Sequence, residues 1–444
     1  MNSSIEYNLE SLVMNYEQLA SFEPALAEFL EKVRHCFKRD KTFTYMQKCI
    51  LGLMTDLKRK SIEPIALASG VAVRTMQEFL SFLSWDHLLA DKVLIREVTE
   101  RQHGKRSIGV LDGSGHVKQG NETPGVQRQW CGETGKRDNC VNGQHLLYTD
   151  NDPHNSFSCV VASDIYLPQS WDEDRKRCRK AGIPDEITYR PKWKIAIEQL
   201  ERVMAEGLRF DYVTFDEEYG KVPEFIFELD RLGQNAIGEV PANFRVWVRP
   251  PAYKSHRAEH SSHRVDDILR HSPVFYGQKW RTMEIKDTTR RQCIWRIKSA
   301  QVYLVKHIDG KPYCPVPTHR TYWLIVANNH ETGEIKYFIS NAPAKESLKT
   351  LLEIAFSRWH VEKWFERAKQ ECGFGAFEVR TYRSLIRHWL ASRLAMYFLA
   401  DQTNRLRGEK SADNAGAGSR CCEYAGVEYL AEISLFVETK SICV

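Results

Sequence analysis

The sequence predicts an α/β fold: a mixed sheet flanked by helices, interrupted by a β-rich insertion and preceded by an all-α N-terminal domain. Three observations carry this. Apolar residues recur at helical spacing through about the first hundred positions. Between 105 and 248, short apolar strands surround one amphipathic helix, the order of an α/β unit. From 249 to 342 the chain is β-like and rich in Trp and Tyr, and helical spacing resumes at about Ala344. At 444 residues the chain exceeds one ordinary core, so two or three domains, or one with a large insertion, are expected.

In segment 1–100, "YMQKCILGLMTDLKR" and "RTMQEFLSFLSWDHLL" carry helical spacing. Ala66, Gly70, Val71, Met76 and Phe79 stand where a helix-turn-helix over about 62–83 places its small residue, tight turn and packing residues. An ordinary helical hairpin satisfies the same spacing. In segment 105–248, "SIGVLDGSG" reads as a short strand ending at Asp112, and "VNGQHLLYTD" and "FSCVVASDIYL" as two further strands. "KWKIAIEQLERVMAEG" is an amphipathic helix, and "FDYVTFDEEYG" a strand ending at Asp216. "RTMEIKD", "CIWRIKSAQVYLVKH", "TYWLIVANN" and "IKYFIS" are the strands of segment 249–342. That segment reads as an insertion because 343–405 completes the earlier pattern. A Gly/Ala/Ser linker opens the tail, 406–444, to which no role is assigned.

The 42% apolar and 11% aromatic content are those of a folded globular protein. No apolar run approaches the roughly 18 residues of a membrane span, and "MNSSIEYNLE" is polar and acidic, so a soluble, cytoplasmic chain is expected. The twelve cysteines are scattered without CxxC pairs, so free thiols are expected. Cys131 and Cys140 have the look of half a zinc site, but no second half follows at finger spacing. A net charge of +5 excludes a histone-like carpet and permits local basic tracks. These lie near Arg175 to Lys180, Arg290 to Arg296 and His256 to Arg264. Each alone also suits a solvated face; as a set they suit nucleic acid.

The chemistry centres on carboxylates. Glycines follow Asp112, and Tyr219-Gly220 follows Asp216, as where backbone approaches a ligand closely. Two carboxylates at adjacent strand tips repel unless a divalent cation lies between them. In "SRWHVEKWFERAKQECGFG", Arg358, Glu362 and Lys369 fall within an arc of about 40° on a helix. Glu362 is placed to supply a third carboxylate, and Glu366, about 40° further round, competes for that role. As a mere surface ladder, Arg358, Glu362 and Glu366 would add little stability. Gly373 and Gly375 end the helix. An all-oxygen site suits Mg2+, and a pair of such ions clamps an in-line phosphoryl displacement. The implied reaction class is phosphodiester cleavage or transfer.

The order Asp, Asp, Glu, the insertion before the glutamate, and R-x3-E-x6-K at Arg358, Glu362 and Lys369 resemble the DDE transposases of bacterial insertion sequences, in the group marked by Y-x2-R-x3-E-x6-K. The similarity extends to "VLDGSGHVKQGNETPGVQRQWCGETGKRDNCVNGQ", "YLPQSWDEDRKRCRKAGIP", "DEEYG" and "DLKRKSIEPIA", covering roughly residues 40 to 400. The resemblance implies an RNase H-like core with Asp112 on its first strand, Asp216 on its fourth and Glu362 on the helix after the insertion. Together they would hold Mg2+, for which Mn2+ substitutes. Arg358 and Lys369 match the family's basic residues and would contact DNA phosphates near the cleaved end. Arg175, Lys176, Arg290 and Arg291 belong to the tracks expected to bind backbone.

The resemblance further implies cut-and-paste transposition. The N-terminal helices would read terminal inverted repeats, and the freed 3′-hydroxyl would attack target DNA. Two protomers would pair two ends, in a bacterial cytoplasm at the nucleoid. Trp280 and Trp295 are the candidates to stack a flipped base, although a core tryptophan suits each position as well. The signature tyrosine position is Ala355 here, and Tyr219 or Tyr382 would have to substitute. Two other readings share these residues: a catalytically silent DNA-binding regulator, and a structure-selective nuclease of the same fold.

Overall fold

The N-terminal apolar spacing folds into α1 (Phe22–Glu31), α2 (Asp40–Met54), α3 (Ile62–Ala68), α4 (Val73–Ser81) and α5 (His87–Glu100). The structure, a computed structural model, describes residues 21–102, 105–152, 155–254, 257–258, 260–286, 292–308 and 311–413. Between α3 and α4 the chain turns at Gly70, whose φ of 65° is left-handed, and the Val71 N–H donates to the Ala66 carbonyl at 3.0 Å. Ala66, Met76 and Phe79 are buried behind that turn, so the spacing yields a helix–turn–helix pair. The periodic run "RTMQEFLSFLSWDHLL" divides into two helices, because the Asp86 side chain accepts from the Leu89 N–H at 2.9 Å and starts α5 afresh.

The next elements are β1 (Ile108–Val117), β2 (Gln127–Cys131), β3 (Lys136–Thr149), β4 (Ser158–Ile165), α6 (Gln169–Asp172), α7 (Arg175–Lys180) and α8 (Lys192–Ala205). Then come β5 (Tyr212–Phe215), α9 (Glu217–Gly220), α10 (Pro223–Arg231) and β6 (Ala236–Val240). In space the strands run β4, β3, β1, β5, β6, with β3 antiparallel to both β4 and β1, and β1, β5 and β6 mutually parallel. Residues 141–149 of β3 are buried throughout, as befits a strand paired on both sides. β1 does not end at Asp112 but continues to Val117, because β3 pairs with its whole length and the β2–β3 hairpin covers it. A Cβ on Gly115 would lie 2.8 Å from the Cys131 sulfur, which is why glycine stands there.

The β-rich segment comprises β7 (Arg245–Trp247), β8 (Tyr253–Lys254), β9 (Arg257–Ala258), β10 (His263–Arg264), α11 (Val265–His271), α12 (Pro273–Tyr276), β11 (Arg281–Lys286), β12 (Gln292–Ile308), β13 (Lys311–Pro317), β14 (Tyr322–Asn329) and β15 (Ile335–Ser340). Expected as an interruption, it is hydrogen-bonded into the same sheet. β15 pairs antiparallel with β6, and β14, β12, β7 and β10 follow outward. The exposed edge of β6 has unpaired backbone groups, and β15 satisfies them.

Three helices close the fold: α13 (Leu348–Phe356), α14 (Trp359–Glu371) and α15 (Tyr382–Asp413). α15 packs on β4 and on α2, α4 and α5, and so joins the N-terminal helices to the sheet. Arg387 of α15 donates to the carbonyls of Phe79, Leu80, Leu83 and Trp85, where the end of α4 and the loop after it leave acceptors without helical partners. α15 runs past the linker start expected at 406, to Asp413, and the tail from 414 lies outside the described residues. No described helix is long and apolar enough to cross a membrane.

Candidate active site

Strand register brings the two aspartates together. β1 and β5 pair in parallel, with Leu111 opposite Phe215, so the next residues, Asp112 and Asp216, stand on neighbouring chains about 4.8 Å apart by strand spacing. β5 ends at that point because Asp216 caps α9, its carboxylate accepting from the Glu218 N–H at 2.9 Å. α9 lies hard against β6: a Cβ on Gly220 would stand 1.9 Å from the Glu239 carbonyl oxygen. The Asp112 Oδ1 accepts from the Gly113 N–H at 2.7 Å.

α14 carries Glu362. It buries His360, Val361, Trp364, Phe365 and Ala368 as it packs on β1 and β4. Its polar stripe thereby comes beside Asp112. Arg358 donates from Nη1 to Asp112 Oδ2 at 3.0 Å and pairs through Nη2 with Glu362 Oε1 at 2.5 Å. The competitor Glu366 instead pairs with Lys363 at 2.8 Å. Lys369 donates to the Gly115 carbonyl at 3.1 Å and lies 3.3 Å from Glu133. Gly373, at a φ of 57°, ends the helix as expected, with the Phe374 N–H donating to the Ala368 carbonyl at 2.9 Å.

Burial pushes the Asp112 carboxyl up to about 7; Arg358 opposes the shift, and Asp216 and Glu362 add to it. Asp216 is raised as well, first by burial and against the pull of Arg358. Desolvated carboxylates thus share one guanidinium, and their oxygen-only donor set fits a hard divalent cation. Among the described residues, however, no group of three His, Cys, Asp or Glu side chains closes on one point. Arg358 reaches both Asp112 and Glu362 and acts as their counter-ion.

A buried amide network next to Asp112 was not anticipated as part of the site. Tyr219 donates its hydroxyl proton to Gln144 Oε1 at 2.7 Å, and Gln144 Nε2 donates to Asn142 Oδ1 at 3.1 Å. Gln199 of α8 donates to the Gln144 carbonyl at 2.8 Å. A Cβ on Gly113 would lie 3.1 Å from Gln144 Nε2, so the network abuts the strand beside Asp112. The available signal was two amides in alternation, "NGQ", within an otherwise apolar strand. This network commits Tyr219 to the interior and removes it as a stand-in for the signature tyrosine. Tyr382 sits beside Asp164, Arg190 and Arg202, away from the carboxylates. Ala355 is buried at the end of α13, its carbonyl accepting from Thr214 of β5 at 3.5 Å.

The other expected site residues scatter. Arg175 is turned inward: it donates to Asp172 at 2.9 Å and to the Ile187 carbonyl at 3.1 Å, tying down its own loop. Lys176 is exposed on the same helix. Arg290 and Arg291 lie outside the described residues. Trp295 takes the core alternative: it is 1% exposed, 4.7 Å between ring centroids from Phe356, and offers no face to a base. Trp280 is half-buried, with the Lys298 ammonium 4.8 Å and the Arg296 guanidinium 5.9 Å from its ring. Cys131 and Cys140 are buried free thiols of the β2–β3 hairpin.

A family model described as a DDE superfamily endonuclease matches residues 32–302, well over half the chain; the match includes Asp112 and Asp216 and ends before Glu362. A probable transposase for insertion sequence element IS701, from Microchaete diplosiphon, is 25% identical over 225 residues, which cover 50% of this chain and 55% of that protein. The shared region therefore spans about half the length of that curated relative. A solved piggyBac transposase synaptic complex with hairpin DNA aligns over 97% of this chain and 80% of its own at a TM-score of 0.41 and 10% identity, a likeness too loose to bear on function. By the extent of the family match, the chain belongs to the DDE superfamily endonucleases.

Proposed function

We propose that the chain is the transposase of a bacterial insertion sequence, cleaving the element's ends and joining the freed 3′-hydroxyls to target DNA. The observation that carries this is the convergence of Asp112 and Asp216, side by side by register, with Glu362 drawn to Asp112 through Arg358. The succession β4, β3, β1, β5, β6 supports an RNase H-like core: with the β2 hairpin strand set aside, Asp112 lies on its first strand and Asp216 follows its fourth.

Asp112, Asp216 and Glu362 would hold Mg2+, or Mn2+ in its place. The ion would neutralise phosphate charge and supply a nucleophilic water for attack on the diester. The protein does the positioning. Strand register sets the two aspartates, and the Tyr219–Gln144–Asn142 network stiffens the strands beside them. Arg358 balances the carboxylates and meets a phosphate oxygen when substrate arrives; Lys369 meets the next stretch of backbone. The α3–α4 pair reads the terminal repeats in a major groove, and two protomers hold two ends. Trp280, framed by Arg296 and Lys298, is the surface for an extruded base. The setting is the bacterial cytoplasm, at the nucleoid.

The test incubates the protein with labelled duplex from the DNA flanking its gene, a target plasmid and Mg2+, for wild type and Asp112→Asn. Wild type should yield cleaved and joined products, and the variant neither. End binding without any product would sink the transposase reading in favour of a DNA-binding regulator, and cleavage without joining would favour a nuclease. Glu362→Gln should abolish cleavage and leave binding nearly intact; retained cleavage would move the role to Glu366.

A further inference from the structure

The segment "DLKRKS" ahead of α3 has no part in the carboxylate chemistry, yet it faces the far end of the helix that carries Glu362. The loop 57–61 and the end of α14, through Glu378, enclose a cavity of about 210 Å3. It is lined by Lys58, Arg59, Lys60, Lys369 and Glu378, with the exposed charges of Lys58 and Arg59 at its rim and the Lys60 and Lys369 ammonium groups bonded to the Glu371 and Gly115 carbonyls.

The cavity is built into the fold. Lys60 is 8% exposed and donates to the Glu371 carbonyl, one of the acceptors the end of α14 leaves open. The backbone is so close that a Cβ on Gly373 would stand 2.5 Å from that of Lys60. On the far side Lys118 donates to the carbonyls of Gly375 and Phe377 at 2.8 and 2.7 Å, fixing the loop that forms the floor. Lys58 and Arg59 remain at the exposed rim, where the pairing of Arg59 with Glu378 contributes little to stability. Lys369 links the cavity to the candidate active site, because its ammonium bonds the Gly115 carbonyl three residues beyond Asp112 on β1.

We propose that this cavity binds one backbone phosphate of DNA, as a second anchor beside the carboxylates. The assignment rests on the proposal that DNA is the substrate. The space is below the roughly 300–1,000 Å3 of pockets for organic ligands and its walls are cationic instead of apolar, which selects a small anion. Its placement suits a continuous strand: Glu362 and Lys369 are seven residues apart on one helix, about 10 Å of rise. The anchored phosphate therefore lies close along the strand to the one at the carboxylates, on the side of the N-terminal helices.

The test measures binding, not cleavage. Fluorescence anisotropy with a labelled duplex from the gene's flank is followed against salt for wild type and for Lys58→Ala combined with Arg59→Ala. The double variant should melt as wild type does, because both side chains are exposed, and its slope of log K against log salt should flatten by about 0.9 for each phosphate it no longer neutralises. A neutral methylphosphonate placed along one strand should weaken wild-type binding at one position and leave the double variant indifferent there. A control, Arg179→Ala with Lys180→Ala on α7, should keep that sensitivity. An unchanged slope and an unchanged methylphosphonate profile in the double variant would overturn the proposal. Protection against thermal unfolding by inorganic phosphate that is lost in the double variant, with the DNA slope unchanged, would assign the cavity to a free anion and overturn it as well. Wild type that binds no DNA removes both this inference and the transposase reading. Binding that behaves as expected without cleavage leaves the anchor standing and removes the catalytic reading alone.

Discussion

Asp112→Asn should make the protein more stable above neutral pH when divalent cations are chelated. The Asp112 side chain is only 15% exposed, and burial lifts its carboxyl from an ordinary 3.8 to about 7 even with Arg358 beside it. Between those values the folded chain holds the proton more tightly than the unfolded chain, so stability falls as pH rises through the window and levels off above it. At about 1.36 kcal/mol for each pH unit, the difference between wild type and variant should grow from near zero at about pH 4 to about 4 kcal/mol above about pH 7. Urea unfolding of both proteins in EDTA, repeated across that range, measures it. Adding Mg2+ should then raise wild type towards the variant, because a ligand held by the folded state alone stabilises it. A difference that stays flat with pH, or a variant less stable than wild type at high pH, would refute the assignment of Asp112 as a desolvated, strained carboxylate.

Three further outcomes rest on the packing. Trp295→Ala should cost about 3–5 kcal/mol in unfolding, whereas Trp280→Ala, only half-buried, should cost clearly less and weaken binding to DNA with an unpaired end by about 1–3 kcal/mol; equal effects on stability would undo that contrast. Gly220→Ala drives a methyl group into the Glu239 carbonyl at 1.9 Å, and should lower stability by about 3 kcal/mol or more; a melting temperature equal to wild type would show that α9 can shift freely. Arg387→Ala removes the side-chain donor of the Leu80, Leu83 and Trp85 carbonyls and one of the two donors to that of Phe79, so the N-terminal helices should become protease-sensitive at a cost of about 3 kcal/mol. Unchanged proteolysis would mean that apolar packing alone holds them.

Much of the secondary structure was legible because it rests on local periodicity. The strands around Val110, Leu146, Val161 and Val213 and the helix of Leu200 show their spacing without reference to any partner. The sequence reading also singled out Asp112, Asp216 and the stripe of Arg358 and Glu362, since the aspartates follow short apolar runs and the stripe follows the helical period. It could not decide between core and surface for Trp295, nor foresee the partners of Arg175, because what an indole or a guanidinium meets depends on what crosses over it: Phe356 in one case, the loop carrying Ile187 in the other. The β-rich segment was recognised as strands, but its pairing into the same sheet was not, because pairing between β15 and β6 leaves no trace in either strand alone.

By itself the sequence determined which side chains carry charge at strand tips and along one helix face, because 2.0- and 3.6-residue periods are properties of the chain. Only tertiary structure decided which of them meet. The register of Leu111 on Phe215 makes neighbours of Asp112 and Asp216, which are far apart in the chain. The packing of α14 over β1 sets Arg358 between Asp112 and Glu362 and leaves Glu366 with Lys363, and the approach of the "DLKRKS" loop to Gly373 creates a cavity whose two walls have no proximity in sequence. Backbone hydrogen bonding and close packing select one alignment among many that the same periodicities allow, and that selection is made between segments, not within them.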